Sequence, residues 1–351
     1  MSKYIIGVMS GTSLDGIDMA YVKINHNNNY TFEILKATTA TYSKDWKSTL
    51  KNGFHLSGEK LTKLDADYGM HLGKIILNFI QKNKITKIDF IASHGHTIYH
   101  NPAKNYTLQI GNGPQITAIT GLKTICNFRV QDIALGGQGA PLVPIGDKLL
   151  FSNYDYCLNL GGFSNISFNE NNQRIAFDIC PVNIVLNHYV APLNMEYDDK
   201  GEIASSGKLN EKLLDELNDL EFYNDTKPKS LGYEFVVEII FPIIDKYNLE
   251  INDILRTFVE HIAIQIAKKI ASNSEKTVLI AGGGAYNTFL INRIQSYTKT
   301  QLIIPEDTII NYKEALVFAL LGFLKDEGQI NCLKSVTGAK KDHSSGVTYN
   351  P

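Results

Sequence analysis

The stretch Gly7-Val8-Met9-Ser10-Gly11-Thr12-Ser13-Leu14-Asp15-Gly16-Ile17-Asp18 decides how the rest of the chain is read. Apolar runs of strand character, residues 4–6 and 19–24, flank it, so it reads as the loop of a β-hairpin. It is long for a hairpin loop, and long loops are more often functional than structural. Its glycines let the backbone approach a ligand, its hydroxyls and N–H groups suit phosphate oxygens, and its carboxylates suit a magnesium ion. The plain alternative is a polar turn that only reverses the chain.

Outward from this loop the chain repeats itself. Residues 19–24 and 30–38 flank the turn His26-Asn27-Asn28-Asn29, which predicts a three-stranded antiparallel meander. A helix over 59–81 follows, with Leu61, Leu64, Tyr68, Leu72, Ile75, Ile76 and Phe79 on one face, then a strand at 88–92, a helix at 114–120 and a strand at 124–128. The same order returns with strands at 156–160, 164–168 and 174–179. Helices then fall around 183–189, 211–217, 235–247 and 252–271, a strand at 277–281, a helix at 287–298, a strand at 301–305 and a last helix at 313–323. The expected fold is α/β, with two similar domains facing a central cleft, where ligands commonly bind. One domain comprises residues 1–133, completed by a return of about 308–351; the other comprises 134–307.

Composition narrows the ligand. With 34 basic and 36 acidic side chains among 351 residues, a net charge of −2 gives no reason to expect nucleic acid or an anionic membrane as partner. A small molecule is expected instead. No early stretch approaches the ~20 apolar residues needed to span a bilayer. Cys126, Cys157, Cys180 and Cys332 have no paired spacing, which argues against a zinc cluster and for reduced thiols in a cytoplasmic protein.

Candidate chemistry lies at several further places. Asp178 is expected to end a strand, with Pro181 opening a helix toward the cleft; there it can accept a proton, or merely favour the helix dipole. Gly282-Gly283-Gly284, with Asn287, sits between a strand and a helix and can cradle a nucleotide, although such a turn is weakly specific alone. Arg129 precedes Asp132 and the loop Gly136-Gly137-Gln138-Gly139, which reads as a hinge. The arginine can grip a carboxylate or phosphate, or pair with Asp132 as a brace. Glu314 opens the last helix, where a carboxylate is also a favourable first-turn charge. His94 and His96 form a His-x-His at a strand's end, the pattern of a metal-dependent hydrolase, but His188, His261 and His343 supply no matching further ligand. They are read as hydrogen-bonding cleft residues, with the hydrolase as the distant alternative.

Together, the opening loop, Ser93-His94-Gly95-His96-Thr97, Arg129 through Pro144, Asn159 through Asn165, the turn after Asp178, Gly282 through Asn287, Lys313 through Gly322 and Val336-Thr337-Gly338-Ala339 resemble the anhydro-N-acetylmuramic acid kinases. The resemblance runs nearly the whole chain and implies the actin, Hsp70 and sugar-kinase fold, of ribonuclease H-like type. It implies ATP and Mg²⁺ as cofactors and an amino-sugar substrate. The reaction it implies is opening of the 1,6-anhydro bridge with phosphorylation of the 6-oxygen, in peptidoglycan recycling. Gly11, Thr12, Ser13, Leu14, Asp15, Gly16, Ile17 and Asp18 would cover the ATP phosphates, with Asp15 holding magnesium directly or through water. Gly161, Gly162, Gly282, Gly283, Gly284 and Asn287 would close from the other domain. Asp178 matches the catalytic base, and His94, Arg129, Asp132 and Glu314 would hold the sugar and its lactyl carboxylate. The resemblance also suggests a homodimer.

Departures from the family pattern mark the alternative of a diverged member with a changed substrate or no catalysis. Ile179, Cys180 and Val182 replace Thr, Gly and a small residue, which is expected to crowd a phosphate-facing turn, and Tyr233 stands where arginine is common.

Overall fold

The structure, a computed structural model, describes all residues except Thr12 and 225–229. Thr12, expected at the phosphates, and Pro228 and Lys229 of the stretch before Tyr233 therefore lie outside the described residues. The chain divides into two units, Met1–Leu150 with Tyr312–Pro351, and Phe151–Asn311.

The first unit is built on a six-stranded sheet. β1 (Ser2–Met9), β2 (Ile17–Asn27) and β3 (Asn29–Ala40) form the expected antiparallel meander, in which Met9 pairs with Asp18. β4 (Phe90–Ser93) and β7 (Thr124–Cys126) extend it in parallel from β1, and β13 (Val347–Tyr349) closes the edge antiparallel to β7. A separate hairpin, β5 (His96–Asn101) with β6 (Tyr106–Ile110), was not foreseen. Ile6, Val8, Ile17 and Met19 from the meander pack on Leu64, Tyr68, Leu72 and Ile76 of the Gly58–Lys82 helix, so the apolar stripe read from the sequence is the core face.

The second unit repeats the scheme. β8 (Tyr156–Leu160), β9 (Phe163–Glu170) and β10 (Gln173–Pro181) form an antiparallel meander, and β11 (Thr277–Ala281) and β12 (Gln301–Ile303) add in parallel. The order β10-β9-β8-β11-β12 matches β3-β2-β1-β4-β7 strand for strand. Its core joins Leu158, Leu160, Ile166, Ile179, Cys180 and Val182 to Phe258, Val259 and Ile262 of the Ile251–Lys269 helix.

Three expectations require correction. The first boundary falls at Leu150, not residue 133, because the Pro144–Leu150 helix packs in the first unit: Lys313 and Asp147 form a buried ion pair at 2.6 Å, and Gly146 lies against Val317. Gly136, Gly137 and Gly139 are therefore interior to one unit rather than a hinge. Finally, the last long helix spans Asp307–Asp326, so Glu314 lies well inside it and has no first-turn dipole role.

Candidate functional site

In the first unit the opening loop is shorter than the quoted stretch, because β1 runs to Met9 and β2 starts at Ile17. Gly7 belongs to β1, where any Cβ would collide with the Ala315 carbonyl of the Asp307–Asp326 helix. It serves close packing. Ile17 is fully buried in the core, so its side chain is closed to a ligand. Ser13 and Asp15 are exposed, and Leu14 takes a left-handed φ of 61°, unusual for a side chain of its size. Asp18 accepts a 2.6 Å hydrogen bond from the Thr39 hydroxyl; burial and the charge of Asp15 raise its carboxyl above the usual range.

Arg129 is held rather than free. Its Nε donates to His94 Nε2 at 2.8 Å and its Nη1 to the Gly139 carbonyl at 2.7 Å. His94 Nδ1 in turn donates to the Gly95 carbonyl at 2.7 Å, so the imidazole is the neutral Nδ1–H tautomer. Burial and the neighbouring guanidinium both depress its pKa well below the usual value. Both ring nitrogens are thus engaged, and the metal-hydrolase reading loses a ligand. His96 pairs with Ile110 in the β5–β6 hairpin, and no group of three metal-ligating side chains among the described residues includes either histidine.

Arg129 Nη2 has no hydrogen-bond partner among the described residues and can meet an anion. Burial lowers the Arg129 pKa to about 10, with Glu314 opposing the shift most among the charges. Glu314 is exposed on the Asp307–Asp326 helix, where Arg129 acts on its carboxyl to favour the charged form and Asp18 to oppose it.

Asp132 does not belong to a sugar-binding surface. It is fully buried; Oδ2 accepts the Gly139 N–H at 2.7 Å, and Oδ1 accepts from the Thr337 hydroxyl at 2.7 Å and the Cys332 thiol at 3.1 Å. Arg129 and Asp132 form no direct pair; they grip opposite ends of the Gly139 residue, its carbonyl and its N–H. Asp132 shapes the loop that positions Arg129.

In the second unit Asp178 lies where the β9–β10 register slips: it pairs with Asn165, while Cys180 pairs with Ser164. Such a bulge re-aims the side chain at its strand position. Asp178 Oδ2 accepts the Leu231 N–H at 2.8 Å, and Oδ1 has no hydrogen bond among the described residues. Burial raises its carboxyl above the ordinary value, with the Leu231 N–H opposing. Pro181 ends β10 instead of opening the helix, which begins at Asn183. The altered residues beside it do not crowd a ligand: Ile179, Cys180 and Val182 are at most 1% exposed and point into the core. Cys180 shares hydrogen bonds with Ser164, and burial pushes its thiol up to about 12. Tyr233 is exposed at the start of a helical turn.

A cavity of about 830 Å³ lies within this unit, lined by Asn183, Tyr197, Lys200, Gly283, Asn287 and Asp307 among others. Its volume falls in the range of small-molecule sites. Of the three successive glycines only Gly283 lines it, and a Cβ there would meet nothing closer than Asn183 Nδ2 at 3.9 Å. Gly282, at φ 83°, and Gly284 instead approach Leu160, where a Cβ would lie within 3 Å. Asn287 caps the Thr288–Tyr297 helix through the Leu290 N–H at 2.9 Å while also lining the cavity. Gly161 and Gly162 give their carbonyls to the N–H groups of Asn183 and of Val182 and Ile184, holding that helix start. Sequence reasoning missed Tyr197, Lys200 and Asp307, which stand on segments with no motif. The left-handed backbone of Lys200, φ 54°, has no residue-type signal.

The family model for anhydro-N-acetylmuramic acid kinase matches residues 3–351. Curated relatives of that name include one from Crocosphaera subtropica, 34% identical over 99% of both chains, and one from Pseudoalteromonas translucida, 37% identical over 91% of this chain and 88% of that one. Another, from Clostridioides difficile, is 34% identical over 96% of both.

Proposed function

Because the chain belongs to the anhydro-N-acetylmuramic acid kinase family and is an ATP-dependent sugar kinase, we propose that Asp178 is the base that activates water on the anomeric carbon of 1,6-anhydro-N-acetylmuramic acid. The observation that carries this assignment is the bulged, half-buried carboxylate with one oxygen anchored by Leu231 and the other free. Taking a proton from water needs a deprotonated carboxylate with raised basicity, and burial supplies that basicity.

Bound ATP and Mg²⁺ supply the γ-phosphoryl group for the departing 6-oxygen and offset its charge. The residues present fit that cofactor. Within the second unit a Cβ-free gap at Gly283 opens on a cavity of sufficient size for the nucleotide; within the first, the exposed Asp15 carboxylate suits the ion, directly or through water. The backbone of Gly11, Ser13, Leu14 and Gly16 serves the phosphates. Arg129, fixed by His94 and the Gly139 carbonyl, binds the lactyl carboxylate through Nη2, and Glu314 accepts from sugar hydroxyls. The product is N-acetylmuramic acid 6-phosphate. Its use in peptidoglycan recycling, a cytoplasmic location and a homodimer complete the reading; among the described residues, no helix is long and apolar enough to cross a membrane.

Single-turnover formation of the sugar phosphate from the anhydro sugar, ATP and Mg²⁺ tests it, with Asp178→Asn alongside. Loss of product by about a hundredfold or more, with ATP still bound, is expected for removal of a general base. Unchanged turnover in that variant removes Asp178 from the mechanism.

A further inference from the structure

Cys332 and His343 face each other across an isolated antiparallel bridge, each N–H donating to the other's carbonyl at 3.1 Å. This pairing sets two potential ligands side by side on a rigid backbone. Asp132 brings a third from far upstream in the chain. The Asp132, Cys332 and His343 ligand atoms all lie within 4.8 Å of one another, and all three residues are buried. The thiol reaches Asp132 Oδ1 at 3.1 Å, and His343 Nε2 stands 3.7 Å from that oxygen, beyond hydrogen-bond reach.

His343 carries the decisive observation. Its Nδ1 lies 3.2 Å from the Lys341 carbonyl, which can only accept, so Nδ1 holds the ring proton. Nε2 is then left with a bare lone pair, buried, without a hydrogen-bond partner among the described residues, and aimed at a carboxylate oxygen that is also an acceptor. Two acceptors turned toward each other in a buried place are relieved by a cation between them.

We propose that Asp132, Cys332 and His343 form a structural site for a divalent transition metal of the zinc class. One oxygen, one sulfur and one imidazole nitrogen are the donor set such ions take. Uptake releases the thiol proton, and thiolate plus carboxylate then neutralise the dication, which makes the charge tolerable in a buried place. The surroundings orient the donors: the Lys341 carbonyl fixes the imidazole tautomer, and the Gly139 N–H and Thr337 hydroxyl hold the carboxylate. The four cysteines show no paired spacing in the sequence, but the fold supplies the partners that spacing lacks. The metal ties the segment after the Asp307–Asp326 helix to the loop that presents Arg129.

The test is titration of the chelator-treated full-length protein with cobalt(II), followed by zinc competition. One cobalt per chain is expected, with a thiolate-to-metal charge-transfer band in the near ultraviolet that zinc abolishes. Cys332→Ser is expected to lose the band and His343→Asn to weaken cobalt binding at least tenfold. Thermal unfolding of the parent moves up with zinc, and that of Cys332→Ser does not. Should Cys332→Ser fail to fold, the parent spectrum decides, since cobalt uptake without a thiolate band overturns the proposal. No uptake by the folded parent, or a band that survives in Cys332→Ser, also overturns it.

Discussion

At Asp178, burial raises the folded carboxyl pKa above its unfolded value. Between those two values the folded state binds more protons than the unfolded, so this group makes the protein less stable as pH rises through that window. Asp178→Asn removes the penalty while still accepting the Leu231 N–H. Melting curves against pH are expected to show the variant more stable than the parent at neutral pH, with the gain shrinking in acid; a variant less stable at neutral pH contradicts the burial argument. Arg129 gives a kinetic prediction. Lysine cannot serve His94, the Gly139 carbonyl and an anion together, so Arg129→Lys loses a charge-assisted hydrogen bond of about 1.5–3 kcal/mol. KM for the sugar should rise about tenfold to a hundredfold, and an unaltered KM removes Arg129 from the sugar site.

Asp178 and Arg129 were singled out by residue type and context, and the structure leaves each half-buried with one polar atom without a hydrogen-bond partner among the described residues, which supports the roles proposed for them. Asp132 was misjudged because no sequence signal separates a carboxylate that meets a ligand from one saturated by Gly139, Thr337 and Cys332. Likewise, a departure from a family pattern at Cys180 says nothing about which face of the strand it occupies, and here that face is the core.

Among elements, both meanders were readable because apolar alternation and Asn-rich turns mark strands and reversals. The β5–β6 hairpin was not, since His96, Thr97, Tyr99 and His100 resemble a site loop and its register is broken between Thr97 and Tyr99. The glycine turn after β11 offers a test of what each glycine does. Gly283→Ala places a methyl group in the cavity and should raise KM for ATP with little change in melting temperature. Gly284→Ala drives a Cβ to 2.7 Å from that of Leu160 and should cost about 1–3 kcal/mol in urea unfolding. Exchanged outcomes for the two variants would show that the turn presents the other glycine to the nucleotide.

For the whole molecule, the second unit is one continuous segment with its own sheet and core, whereas the first is assembled from two separated segments. A polypeptide of Phe151–Asn311 is expected to unfold cooperatively on its own and to bind a nucleotide, measured by calorimetry; a molten fragment would show that its core is not self-sufficient. The two-unit plan was legible because the repeat is carried by strand order. Its boundary was not, because the Gly-rich stretch after Asp132 looks like a linker and is instead folded around that buried carboxylate.

The discontinuity of the first unit bears on its birth at the ribosome. A nascent chain that has emerged as far as Asn311 already contains every strand of the second sheet, yet the first still lacks β13 and the helix surface that covers Gly7. The segment translated later is thus the one ready to fold first, and the earliest-made strands wait, partly uncovered, for the last ones. Slowing translation before Tyr312 should therefore prolong a chaperone-dependent intermediate, whereas slowing it within Phe151–Asn311 should affect the second unit's own maturation instead.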